Sequence, residues 1–140
     1  MKKILIVNGP NLNLTGQREK DIYGSTTFDK YLEQLHTLFP DVEISYFQSN
    51  VEGEIINRLQ KADKEVNGII LNAGGYTHTS VAIGDAVKAI QTPVIEVQIS
   101  NILSREEYRH KSLIAPGCLG SVFGFSLDSY RLALYYFAIR

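Results

Sequence analysis

Five strand-like runs alternating with helix-like stretches predict an α/β fold, a five-stranded parallel sheet of order 2-1-3-4-5 with helices on both faces. Three observations carry this. The alternation runs the whole length of the chain. Near the start, residues 3–7, KILIV, form a continuous apolar run rich in β-branched side chains, the pattern of a central strand buried on both faces. Residues 68–82, GIILNAGGYTHTSVA, join a buried strand, a glycine turn and a helix start. In an open parallel sheet, ligands bind in the crevice outside the carboxyl ends of the strands, so the polar groups of that turn form a candidate site.

In chain order, Asn8-Gly9-Pro10 stops the first strand. Residues 11–24 have neither helical nor strand period, and a loop of that length is usually a functional lid or a disordered segment; the lid reading covers about 12–24. Thr26 and Asp29 form a helix start signal, and Phe28, Leu32, Leu35 and Phe39 recur at helical spacing until Pro40. Residues 43–47 are the second strand. Ser49 and Glu52 read as a capping box for a second helix with Val51, Ile55, Leu59, Ala62 and Val66 on one face, closed by Asn67-Gly68. The third strand follows directly, and Thr79 or Ser80 caps a third helix, about 79–91, that turns Ile83, Val87 and Ile90 to the sheet. Residues 93–99 are the fourth strand, 104–111 (SREEYRHK) a short charged helix, and 120–125 the fifth strand. The last helix, 126–139, faces inward with Leu127, Tyr130, Leu134 and Phe137. This arrangement is a flavodoxin-like three-layer sandwich.

A chain of 140 residues that is 44% hydrophobic is large enough for one real core and too small for two, so residues 1–140 read as a single domain. Fourteen basic against fifteen acidic residues, with no basic stretch interleaved with aromatics, argue against nucleic acid and for a small-molecule partner. The lone Cys118 has no internal disulfide partner, and the N-terminus lacks the pattern of a signal peptide, so a cytoplasmic location is expected. No apolar run approaches the ~20 residues of a membrane helix.

Strands 1, 3 and 4 are neighbours in the expected order, so their following loops pool Asn8 and Asn11, Asn72 and His78, and Glu96, Gln98 and Ser100. Glu96 and Gln98, two apart, share one strand face. The loop with Arg18 and Tyr23 can fold over them. Each residue also has an ordinary reading: His78 satisfies backbone groups in its turn, Arg18 is a solvated charge, and Tyr23 anchors the loop by its ring. Arg105 and Arg109, beside Glu106 and Glu107, fit a surface ion-pair face. The three histidines are scattered without ligand spacing, so no metal is expected. Asp85 lies roughly opposite Ile83 and Val87 on its helix, either as an exposed acid or as a residue serving a neighbouring subunit's site.

Five separated motifs, VNGPNLNL (7–14), GQREKDIYG (16–24), FQSNVEGEIIN (47–57), LNAGGYTHTSVAIGDA (71–86) and IEVQISNILSREEYR (95–109), together resemble type II 3-dehydroquinate dehydratase across nearly the whole chain. The resemblance implies the same fold, no metal or cofactor, trimers assembling to a dodecamer, and the elimination of water from 3-dehydroquinate to 3-dehydroshikimate in the shikimate pathway. By similarity Tyr23, as tyrosinate, removes the proton α to the ketone, Arg18 lowers its pKa, and Asn11 stabilises the enolate. A nearby cation typically lowers an acid's pKa by ~1 to 3 units, which brings a tyrosine of reference pKa ~10 towards use as a base. Asn72, His78 and Arg109 then hold the ring hydroxyls, Ile99 and Ser100 hold the carboxylate, Arg105 stands near the lid, and Asp85 reaches across the trimer interface.

This chain departs from the family pattern at Gln98, where the family has the histidine that, oriented by the preceding Glu, protonates the leaving hydroxyl; here that Glu is Glu96. An amide donates a hydrogen bond but has no proton to surrender. General acid catalysis is worth ~10²- to 10⁴-fold, so Glu96 or a water must relay the proton if turnover is retained. Lys20 also replaces a proline common in the lid motif. The alternative is a binding protein or weakly active relative that recognises a cyclic polyhydroxy carboxylate. A flavin-binding module of the same fold is more remote, because GPNLNLTG is a poor phosphate cradle.

Overall fold

The computed structural model describes residues 1–15 and 26–140. Its sheet contains β1 (Lys2–Asn8), β2 (Val42–Gln48), β3 (Gly68–Asn72), β4 (Val94–Gln98) and β5 (Gly120–Phe123) in the order β2-β1-β3-β4-β5. Every pairing is parallel, as expected. Among the described residues four α-helices, α1 (Phe28–Leu38), α2 (Glu52–Ala62), α3 (Val81–Ala89) and α4 (Asp128–Ala138), cover the two faces. The pleat of β1 sends alternate side chains to opposite layers. Ile4 and Ile6 join Phe28 and Leu35 of α1 and Tyr130, Leu134 and Phe137 of α4 on one face. Leu5 and Val7 join Ile55 and Leu59 of α2 and Ile83 and Val87 of α3 on the other. Each such fully buried aliphatic side chain contributes about 1.5–3 kcal/mol, so this unbroken apolar run fixes β1 in the sheet's interior.

Several element ends differ from the sequence expectation, each for a local reason. Thr27 rather than Thr26 caps α1, accepting a hydrogen bond from Lys30 N. The Ser49 and Glu52 capping box does not form. Ser49 pairs with Glu54 instead, while Glu52 accepts from Ser80 Oγ at 2.5 Å. Ser80 in turn caps α3 by accepting from Ile83 N, so α2 and α3 are joined at their N-termini. The expected charged helix at 104–111 is two short 3₁₀ turns, Ile102–Ser104 and Glu107–Arg109. Extended backbone at Arg105 and Glu106 separates them, and His110 Nε2 reaches the Arg105 carbonyl at 3.0 Å across that break. Strand 5 stops at Phe123 because Gly124, at φ 90°, turns the chain away, and α4 starts at Asp128.

The carboxyl ends of β1 and β3 are tied by a buried polar network. Asn8 and Asn72 are register partners. The Tyr130 hydroxyl donates to Asn8 Oδ1 at 2.7 Å and accepts from Asn72 Nδ2 at 2.8 Å. Asn72 Oδ1 accepts from Gly74 N at 3.0 Å, and its carbonyl accepts from Gly9 N at 2.7 Å. Complete burial pushes the Tyr130 phenol well above its ordinary pKa, so it keeps the proton that the network uses. At Gly9 the backbone passes so near the next turn that a Cβ would stand 2.6 Å from the Ala73 carbonyl oxygen.

Two stability measurements test this edge. Tyr130→Phe keeps the ring but strands two buried asparagine groups, and should lower the unfolding free energy by about 1–3 kcal/mol in urea titration. Gly9→Ala should cost about 1–3 kcal/mol through the forced separation of the β1 and β3 loops; an unchanged midpoint would contradict the close approach.

Candidate active site at the carboxyl edge

The turn after β3 is built to present side chains. Gly74 takes a φ of 60°, and Gly74–His78 forms a 3₁₀ turn with Thr77 fully buried. The segment that follows the two charged turns clips onto it: Leu113 N donates to the Thr77 carbonyl at 2.8 Å, and His78 Nδ1 lies 2.9 Å from the Lys111 carbonyl. A carbonyl only accepts, so Nδ1 carries the proton there and Nε2 is the ring nitrogen left for the cleft. His78 thus satisfies a backbone group, as its ordinary reading anticipated, and also lines a cleft.

Gln98 ends β4 and is 7% exposed. Its Nε2 donates to Thr77 Oγ1 at 2.7 Å and lies 3.4 Å from the Gly74 carbonyl. Glu96, one pleat deeper, is fully buried and does not line the cleft. Its carboxylate accepts from Ser112 Oγ at 2.6 Å and from Ser121 Oγ at 2.9 Å. Burial raises its pKa, and the two serine hydroxyls and the nearby His78 oppose that rise.

Arg105 and Arg109 enter the cleft from the charged turns, although no α-helix sets their spacing. Arg105 Nη1 lies 3.4 Å from Ser100 Oγ. Arg109 donates to Glu106 at 2.7 Å and stacks over the Tyr108 ring at 5.2 Å. The surface ion pair expected from the sequence therefore exists, and it steers a guanidinium to the cleft wall. On the β1 side, Asn11 sits at φ 68° with its N–H donating to Asn50 Oδ1 at 3.0 Å.

The resulting cleft, of about 150 Å³, gathers Asn11, Asn72, His78, Gln98, Arg105 and Arg109 from four separate stretches of chain. Two guanidiniums, an imidazole and three amides suit a small hydroxylated anion. Ile99 is buried with its carbonyl accepting from Ser126 N, and Ser100 stands behind Arg105. Asp85 is exposed on α3 and does not line this cleft. Arg18, Lys20 and Tyr23 lie outside the described residues. Among the described residues no group of three His, Cys, Asp or Glu could hold a metal ion, and no helix is long and apolar enough to cross a membrane.

Sequence reasoning missed Thr77, Ser112 and Ser121, which hold the Gln98 and Glu96 side chains, and Asn50, which holds the Asn11 backbone. Thr77 is legible in hindsight as a buried polar residue in a glycine turn. The serines have no local signal, because their partner Glu96 lies 16 and 25 residues away.

Comparison with known proteins agrees with this geometry. The family model described as Dehydroquinase class II matches residues 2–138. The 3-dehydroquinate dehydratase of Caldicellulosiruptor saccharolyticus is 56% identical over 138 residues, covering 96% of this chain and 95% of that protein. That of Campylobacter jejuni subsp. jejuni is 52% identical over 134 residues, covering 94% and 84%. Among solved structures, the type II dehydroquinase from Butyrivibrio crossotus superposes with a TM-score of 0.93 at 41% identity, covering 97% of each chain. That from Propionibacterium acnes gives 0.95 at 34% identity, covering 100% of this chain and 98% of its own. A match that spans the sheet, its turns and the cleft-forming segments alike places the chain in the class II dehydroquinase family.

Proposed function

We propose that the cleft eliminates water from 3-dehydroquinate to give 3-dehydroshikimate, the shikimate-pathway dehydration, without a cofactor. The observation that carries this is the convergence of Asn72, His78, Gln98, Arg105 and Arg109 on one cleft in a chain 56% identical to a 3-dehydroquinate dehydratase. The alternative of a binding protein is not favoured by relatives of this similarity.

The substrate is a ring with several hydroxyls and one carboxylate. Asn72, His78 and Arg109 hold the hydroxyls; the Ile99 and Ser100 segment holds the carboxylate, with Arg105 beside Ser100 adding positive charge. The lid at about 12–24 closes over the ring. Tyr23 removes the α-proton as tyrosinate, its pKa lowered by Arg18, and Asn11 stabilises the enolate oxygen. Closure expels water, which strengthens each of these interactions. Glu96 and Gln98 lie on the strand beneath the reacting ring, where Glu96 contributes negative charge to the floor. Asp85 faces outward on α3 and serves the cleft of an adjoining subunit in a trimer, four of which make a dodecamer in the cytoplasm.

The direct test is enone absorbance on adding 3-dehydroquinate. The native chain should produce it, and Tyr23→Phe should lose about 10²- to 10⁴-fold in kcat while still binding product in calorimetry. Binding without any enone from the native chain would install the binding-protein reading instead. Mixing and reassembling inactive Tyr23→Phe and Asp85→Ala subunits should restore part of the activity, since some clefts then hold both residues. No recovery would refute the shared site.

A further inference from the structure

We infer that in this chain His78 donates the proton to the departing hydroxyl, while Gln98 accepts a hydrogen bond from that hydroxyl through Oε1. The inference rests on the dehydratase reading and deepens it. It begins with which way the Gln98 amide faces. The Gly74 carbonyl only accepts, so the Gln98 atom 3.4 Å from it is the NH₂ group, which also reaches Thr77 Oγ1 at 2.7 Å. Both N–H bonds are thereby directed into the protein, and Oε1 is what the side chain has left for the cleft. An amide oxygen only accepts.

The proton must come from another group. Arg105 and Arg109 line the cleft but guanidiniums do not deprotonate in proteins. Glu96 is fully buried, holds both serine hydroxyls and does not line the cleft. Among the described residues of the cleft, His78 alone belongs to the class of side chain that exchanges a proton near neutral pH. Its ring is already oriented for the task. Nδ1–H is fixed on the Lys111 carbonyl at 2.9 Å, and the Thr77 carbonyl is held by Leu113 N, so ring and turn are pinned from one side and Nε2 faces the other. The charged groups around it are Glu96 from β4 and Arg105 and Arg109 from the charged turns.

The step balances without a further reactant. The bond between the departing hydroxyl and the carbon β to the ketone breaks with its electron pair passing to oxygen, and the Nε2 proton passes to that oxygen, directly or through one water, to form water while the enolate oxygen returns to a ketone. The enolate electrons form the new carbon–carbon double bond. The proton taken by Tyr23 returns through solvent to neutral His78.

The test compares kcat against pH for the native chain, His78→Asn, Gln98→His and the double variant, alongside exchange of the substrate α-proton into deuterated water. His78→Asn should lower kcat by about 10²- to 10⁴-fold, with α-proton exchange retained. It should also abolish the native chain's fall in kcat on the alkaline side, where a general acid is lost. Restoring an imidazole by Gln98→His in the His78→Asn background should recover most of kcat. Unchanged kcat in His78→Asn, or a rise in KM with no rescue by Gln98→His, would overturn the inference and leave the dehydratase reading intact. Absence of enone from both the native chain and Gln98→His would overturn the dehydratase reading, and this inference with it.

Discussion

The Tyr130 hydroxyl is the hinge between fold and site. It comes from the last helix, is entirely buried, and joins the terminal asparagines of the two central strands by one donated and one accepted hydrogen bond. Asn72 in turn holds Gly74 N and Gly9 N, so the loops after β1 and β3 leave the sheet from fixed positions. Two parallel strands otherwise end in unpaired backbone groups and slack turns. Here the side chains replace the missing ladder, and the crevice that parallel topology always opens at this edge acquires a set shape. The ring of Tyr130 adds its own packing, edge-on to Phe28 with centroids 4.9 Å apart, which couples α1 to the same point.

A second set of contacts positions the chemistry on that frame. The chain leaving β4 makes two short turns that bring Arg105 and Arg109 to the cleft, then returns to lay the Lys111 carbonyl on His78 and Ser112 on Glu96. One continuous stretch therefore supplies the cations, orients the imidazole and gives the buried carboxylate one of its two serine partners. Leaving a buried carboxylate unpaired would cost several kcal/mol, so the serines from two different segments are what make Glu96 tolerable there.

The sheet was legible because its signal is local and redundant. KILIV and GIILN read as buried strands on composition alone, and the helices between them show their inner faces at regular spacing. The convergence of Asn72, His78 and Gln98 followed from strand order, since only neighbouring strands can pool their loops. What failed was set by competition between distant groups. Ser49 and Glu52 have the spacing of a capping box, but each finds another carboxylate or hydroxyl partner, Glu54 and Ser80. The SREEYRHK segment has helical composition, yet Arg105 is held toward Ser100 and the Lys111 carbonyl is taken by His78, and eight residues cannot outweigh such contacts with their own helical hydrogen bonds. The direction of the Gln98 amide was beyond sequence reasoning for the same reason: Thr77 and Gly74 reach it across the sheet edge.

The position of Gln98 is where this member of the family is most informative, because its amide N–H bonds are directed into the protein at Thr77 and Gly74 and leave only the oxygen for the cleft. The central claim is that the carboxyl-edge cleft binds the ring with His78 Nε2 and Gln98 Oε1 on the same leaving oxygen. A crystal structure of the protein with 3-dehydroquinate or a non-reacting analogue tests it most directly. The account predicts that oxygen within ~2.6–3.2 Å of His78 Nε2, or one water away, and facing Gln98 Oε1. A ligand bound elsewhere, or one met by a rotated Gln98 amide with His78 turned away, would contradict it.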